Sequence, residues 1–116
     1  MEARVLPYER LEVYWLAEEY VAFVDYLLAR MKPSTDTDQL KRAAGSIVFN
    51  IAEGAADRPR GDRIRIFSYA RRSTSETNSI LRRIARAGEA SADEVRISYS
   101  YADRISAMLW NLIRAQ

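Results

Sequence analysis

Residues 45–55 read GSIVFNIAEGA, an almost wholly apolar stretch in which Asn50 and Glu53 stand three positions apart and Glu53 is the only charge. Followed upstream to Leu40, the positions Leu40, Ala43, Ala44, Ile47, Val48, Ile51, Ala52 and Ala55 recur at helical rather than strand spacing. At 100° per residue, Arg42, Ser46, Asn50 and Glu53 share one stripe of about 80°, with Phe49 at its margin. The amide and the carboxylate therefore mark an edge of this helix and not its core. A helix that is apolar around most of its circumference is covered on most sides. A single bundle leaves each helix a wider solvent face than this, so further copies of the chain are expected to cover part of it. Small residues at 43, 44, 45, 52, 54, 55 and 56 suit close approach.

Working outward, chain punctuation separates four helical segments, at about 8–31, 36–56, 62–87 and 92–114. Pro7 can open the first and Lys32-Pro33 follows its end. Ser34 to Thr37 offers N-caps for the second, and Arg58-Pro59-Arg60-Gly61 interrupts the chain before the third. Gly88 closes the third, and Ser91-Ala92-Asp93-Glu94 has the spacing of a capping box at the start of the fourth. Short connections between long helices favour an all-α fold: an antiparallel up-down four-helix bundle in one domain, residues 1–116.

Composition narrows the chemistry. The chain of 116 residues has no Cys and no His. Disulfides, Cys/His zinc sites, thiol nucleophiles and imidazole acid/base schemes are thereby excluded. A carboxylate-bridged metal bundle needs Glu-x-x-His pairs that are missing here, and the acidic residues are expected on outward faces rather than paired across a core. No catalytic residue, metal ligand or cofactor is expected. No uncharged apolar run reaches membrane-spanning length, and the charged N-terminus lacks the apolar core of a signal peptide, so a cytoplasmic protein without membrane contact is expected.

Net charge is only +2, but residues 1–57 hold six basic and ten acidic side chains, whereas residues 58–116 hold twelve basic and six acidic. Helix one sets Val13, Leu16, Ala17, Tyr20, Val21, Phe23, Val24, Leu27, Leu28 and Met31 to one side. Its other side carries Glu12, Glu18, Glu19 and Asp25 together with Trp15 and Tyr26, two large aromatics that call for a covering subunit. Helix three turns Ile66, Phe67, Ala70, Thr74, Thr77, Ile80, Leu81 and Ile84 inward, with Ser73 among them. Arg65, Arg71, Arg72, Arg82, Arg83 and Arg86 share the opposite arc of about 120°, interleaved with Ser68, Ser75 and Ser79. With Arg58, Arg60 and Arg63 just upstream, residues 58–86 hold nine Arg against Asp62 and Glu76. Glu76, at the margin of the arc, is expected to pair only loosely with Arg72 or Arg83. Such a face repels itself unless an anion is near: phosphate, which suits the planar Arg fork, or an acidic protein surface. Glu53, in the last turn of helix two, likewise asks for a cation, and Arg58, Arg60 and Arg63 are nearest in sequence. A solvated stripe and an Asn50–Glu53 hydrogen-bonded cluster are both open readings there. Helix four brings Val95, Ile97, Tyr101, Ala102, Ile105, Met108, Leu109, Leu112 and Ile113 to the core and shows no chemistry of its own.

These features resemble the small bacterial four-helix-bundle family encoded by intervening sequences in 23S ribosomal RNA genes. The resemblance is carried by YERLEVYWLA at 8–17, by Ser46-Ile47 followed by Asn50-Ile51-Ala52-Glu53-Gly54, and by Ala70, Ser73, Glu76 and Leu81. Val48 stands where the family often has Pro, Arg72 where Gly is common, and Thr77 where an apolar residue is usual. The resemblance implies a ring, a homopentamer, with Ser46, Asn50, Glu53, Gly54, Ser73 and Glu76 as structural or interface residues beside Trp15 and Tyr26. Related bundles serve as accessory subunits of retroelement reverse transcriptases and bind nucleic acid. The expected function is thus a non-enzymatic homo-oligomer that binds RNA or DNA backbone through Arg58, Arg60, Arg63, Arg65, Arg71, Arg72, Arg82, Arg83 and Arg86. The alternative is a protein-binding scaffold or accessory subunit, with a reverse transcriptase as one such partner, whose Arg face meets acidic surfaces of neighbouring subunits or of that partner.

Overall fold

The computed structural model describes residues 5–116, and all regular structure among them is helical. A 3-10 turn at Pro7–Arg10 leads into α1 (Glu12–Leu28), α2 (Thr35–Ala55), α3 (Arg60–Arg86) and α4 (Ala92–Arg114). The four helices pack as a bundle: α2 on α3 most extensively, then α3 on α4 and α1 on α2, with α1 on α4 closing the circuit. The molecule measures 47 × 33 × 22 Å. Its thinnest dimension is about two helix diameters of ~10–12 Å, so every helix keeps an outward face.

The expected helices are present, the first shortened at both ends: it closes at Leu28 rather than at 31. Residues 8–10 belong to the 3-10 turn, and Leu11 is extended (φ −92°, ψ 117°) before α1 begins at Glu12. Pro7 fixes the turn, the Leu11 N–H donates to the Tyr8 carbonyl at 3.1 Å, and the Tyr8 ring lies 4.6 Å from that of Tyr14. That kink lets Leu11 fold back against the core. The caps match the sequence. The Ser34 Oγ accepts from the Thr37 N–H at 3.1 Å, and the Ser34 N–H donates to the Thr37 Oγ1 at 2.7 Å. The same reciprocal pairing joins Ser91 and Glu94, at 3.1 and 2.9 Å. The Ser91 N–H, and Arg30 pairing with the same carboxylate, hold the Glu94 pKa below the usual range. Gly88 ends α3 at φ +88°, a left-handed position that glycine adopts without strain.

The core joins Leu16, Tyr20, Val24 and Leu27 of α1, Leu40, Ile47 and Ile51 of α2, Phe67, Ala70, Leu81 and Ile84 of α3, and Ile105 and Leu109 of α4. Each large aliphatic or aromatic side chain buried this way contributes roughly 1.5–3 kcal/mol. The buried hydroxyls are paired. Thr74 and Thr77 donate back along α3 to the Ala70 and Ser73 carbonyls, at 2.8 and 2.7 Å. The fully buried Tyr20 hydroxyl lies 2.6 Å from the Ser98 Oγ, which donates to the Asn78 Oδ1 at 3.0 Å. One hydroxyl-to-amide chain thus ties α1, α4 and α3.

Helix four departs from its expected core in its first turns. Ile97 is 45% exposed and Val95 only half-buried. Ser98 takes the inward position because the Tyr20 hydroxyl reaches that level of the bundle and needs a partner. Below it, Ala102, Ile105 and Leu109 are buried as the periodicity requires.

Candidate nucleic-acid interface

The polar stripe of α2 faces α3. The Asn50 Nδ2 donates to the Ser46 carbonyl at 2.8 Å and to the Ser46 Oγ at 2.9 Å. The Ser73 Oγ donates to the same Ser46 Oγ at 3.0 Å, so three motif residues form one hydrogen-bonded set across the α2–α3 seam. Glu53 stands outside that set. Of the two open readings, neither the solvated stripe nor the Asn50–Glu53 cluster describes the arrangement: Asn50 is one turn above Ser46 and its amide bonds the serine, apart from Glu53. Glu53 pairs instead with the Arg58 guanidinium, whose Nε also donates to the Glu53 carbonyl at 2.9 Å. The arginine adds a second donor to a helix-end carbonyl that already accepts from the Ala56 N–H at 3.3 Å, and it offsets the carboxylate's unfavourable place on the dipole. Gly54 is buried against Phe67.

The outward strip of α2 shares only Arg42 with that stripe. Lys41, Arg42 and Gly45 are exposed, Phe49 is 64% exposed, and Val48 and Ala52 are half-buried. Its first half is charged and its second half is apolar.

The nine arginines divide into three groups. Arg58, Arg60 and Arg63 bind the chain to itself at one end of the bundle. Arg60 and Arg63 donate to the Gln116 carbonyl and side chain at 2.7 and 2.8 Å, and the Arg63 Nη1 donates to the Arg58 carbonyl at 2.6 Å. Arg65, Arg71 and Arg72 form the middle group. Arg65 pairs with Asp62 at 3.2 Å. Arg71 and Arg72, with Ser68, Ser75 and Ser106, line an open hollow of about 310 Å³ between α3 and α4. Arg82, Arg83 and Arg86 gather with Ser79 around a second hollow of about 360 Å³ at the far end of α3. Within that last group, the acidic neighbour recorded among the described residues is Asp36, 3.7 Å from Arg83. Glu76 makes no ion pair there; it is exposed beside Gln39 and Arg42.

On the opposite flank, Trp15 is 51% exposed, with its indole N–H donating to the Glu9 carbonyl at 3.0 Å and its ring edge-on to Tyr14. Tyr26 is 63% exposed under the Arg30 guanidinium. Glu12, Glu18, Glu19 and Asp25 are exposed on the same helix. No helix is long and apolar enough to cross a membrane, and the described residues hold no cluster of three or more carboxylates placed for a metal ion.

A family described as 23S rRNA-intervening sequence protein matches residues 9–111, which takes in all of α1, α2 and α3 and nearly all of α4. The chain belongs to that family. A comparison with curated proteins returns no match. Within this 23S rRNA-intervening sequence protein, the motif Asn50-Ile51-Ala52-Glu53-Gly54 is a packing device: amide to Ser46, carboxylate to Arg58, glycine to Phe67.

Sequence reasoning missed the aromatic side chains beside the middle arginine group. Trp110 is 47% exposed with the Arg71 guanidinium 5.1 Å from its ring centre and that of Arg114 at 5.8 Å. Arg72 lies 5.3 Å over Tyr69, and Tyr99 is exposed at the rim of the adjoining hollow. The available signal was that Tyr99 and Trp110 fall off the apolar stripe defined by Ala102, Ile105 and Leu109. Their alignment with Arg71 and Arg72 required knowing that α3 packs on α4.

Proposed function

We propose that this protein is a non-enzymatic, homo-oligomeric binder of RNA or DNA backbone, working in the cytoplasm through Arg65, Arg71, Arg72, Arg82, Arg83 and Arg86. The observation that carries the reading is the hollow at Ser79, Arg82, Arg83 and Arg86. Three guanidinium groups converge there with a hydroxyl, and Asp36 lies near only one of them. That is the arrangement of donors a phosphate chain takes up. Arg58, Arg60 and Arg63 have structural partners and support the fold rather than the ligand.

Assembly is part of the same proposal. Pairing of Ser46 with Ser73 and of Gly54 with Phe67 runs α2 and α3 in opposite directions, which supports the up-down arrangement. The outward strip of exposed Gly45 and Phe49 beside half-buried Ala52 supports coverage of α2 by another copy, and a pentameric ring follows the family resemblance. A ring multiplies weak phosphate contacts through avidity.

A second reading has its own support. The exposed acidic residues of α1, around Trp15 and Tyr26, complement the Arg face of α3, so subunits or an accessory partner such as a reverse transcriptase would join through them. Light scattering with and without RNA across a salt series tests both. The nucleic-acid reading expects a stable oligomer whose RNA affinity falls steeply with salt, with the slope reduced by about 1.5 when Arg82 and Arg83 are both replaced by Gln. Salt-independent affinity overturns it. Loss of the oligomer itself on charge reversal at Arg72 and Arg83 favours the second reading.

A further inference from the structure

We propose that the seam between α3 and α4 is a site for single-stranded nucleic acid, in which phosphates lie on Arg71 and Arg72 and bases stack at Trp110 and Tyr99. This rests on the phosphate-binding reading above and adds the class of strand that the protein selects. The two hollows along this seam are continuous, since both are lined by Ser75 and Ser106. One end is basic, with Arg71 and Arg72. The other end is formed by Asn78, Tyr99, Ala102 and Asp103. The Asp103 carboxylate repels phosphate at that end and, with the Asn78 amide, offers hydrogen-bond partners to base edges.

The spacing suits a strand. Trp110 and Tyr99 are eleven positions apart on α4, about 16 Å along the helix at ~1.5 Å per residue. A stacked strand advances about 3.4 Å per nucleotide, so roughly five nucleotides cover the distance. Two guanidinium groups already lie over the indole ring, and the Arg114 group is the more distant of the two at 5.8 Å. A base enters that stack in place of Arg114, whose other hold is a 2.9 Å hydrogen bond to Asn111. The Arg71 Nε is buried without a hydrogen-bond partner among the described residues, so stacking on Trp110 rather than a hydrogen bond holds that part of the side chain. In a duplex the base faces are already stacked on one another, so these aromatics gain nothing from it.

The experiment uses the Trp15→Phe variant, in which Trp110 is the single remaining tryptophan of the two in the chain. It is titrated with a 12-nucleotide single-stranded RNA, the matching duplex, and inorganic polyphosphate at one ionic strength. Single-stranded RNA should quench Trp110 emission and bind about tenfold more tightly than the duplex, whereas polyphosphate should bind without quenching. Trp110→Leu and Tyr99→Leu, at exposed positions, should each weaken single-strand binding several-fold, and Tyr99→Leu should leave polyphosphate binding unchanged. Equal affinity for strand and duplex with no quenching overturns the seam as a base site while leaving the phosphate reading intact. Failure to bind any of the three ligands overturns both, as does binding of an acidic polypeptide in their place.

Discussion

A methyl group on Gly54 would stand 2.7 Å from the Cδ1 and Cε1 atoms of the Phe67 ring. The ring is 2% exposed and has little room to retreat. Gly54→Ala gains about 1 kcal/mol of helix propensity, but overpacking costs roughly 1–3 kcal/mol and forces α2 and α3 apart. The variant should therefore be less stable, with a Tm a few degrees lower in a thermal melt. An unchanged or higher Tm would mean the two helices separate at no cost.

Gly45 makes the opposite case. A Cβ there meets nothing within 4 Å, and the residue is exposed in the middle of α2. Gly45→Ala should stabilise the subunit by about 0.5–1 kcal/mol. If copies pack on the outward strip of α2, the same substitution should loosen the assembly. Denaturant melts and sedimentation on one sample would read the two effects with opposite signs.

The contrast between these glycines bears on what the sequence discloses. The spacing of Leu40, Ala44, Ile47 and Ile51 fixes which side of α2 is buried, because burial follows the apolar stripe. The capping boxes at Ser34 and Ser91 and the stop at Gly88 are local chemistry and are legible for the same reason. Which polar residue partners which is not local. Asn50 and Glu53 look like a pair on a helical wheel, yet Ser46 and Arg58 draw them into different contacts. The same limit hid Trp110, whose meaning depends on Arg71 reaching across from α3. Ile97 was expected inside because its spacing fits, and Ser98 displaces it to satisfy Tyr20.

Ser98→Ala would leave the Tyr20 hydroxyl buried without a partner. The expected loss is roughly 1–3 kcal/mol, whereas Tyr20→Phe should cost less because Ser98 retains its bond to Asn78. Urea titrations of both single variants and of the double variant would show a coupling energy. Additive losses would argue against a shared chain of hydrogen bonds.

Alkaline stability follows from the same tyrosine. Burial pushes the Tyr20 pKa from 10.0 to about 12, with the Ser98 bond opposing the rise only in part. The unfolded chain ionises first, so the contribution of this group is fully present below pH 10 and is lost as pH rises toward 12. Tyr14, raised by burial and by the Glu18 carboxylate, adds to the same slope. Melts between pH 9 and 12 should therefore fall more gently for Tyr20→Phe than for the parent chain; identical slopes would place the titration elsewhere.

The hydroxyl contact between Tyr20 and Ser98 bridges 78 positions of sequence, whereas α1–α2, α2–α3 and α3–α4 join neighbours in the chain. Closing so long a loop is entropically the most expensive step of assembly, so the α1–α4 seam is set to zip last and open first. Interactions made after the transition state govern how slowly the native form escapes rather than how quickly it is reached. The half-life of the folded subunit is then controlled from this seam.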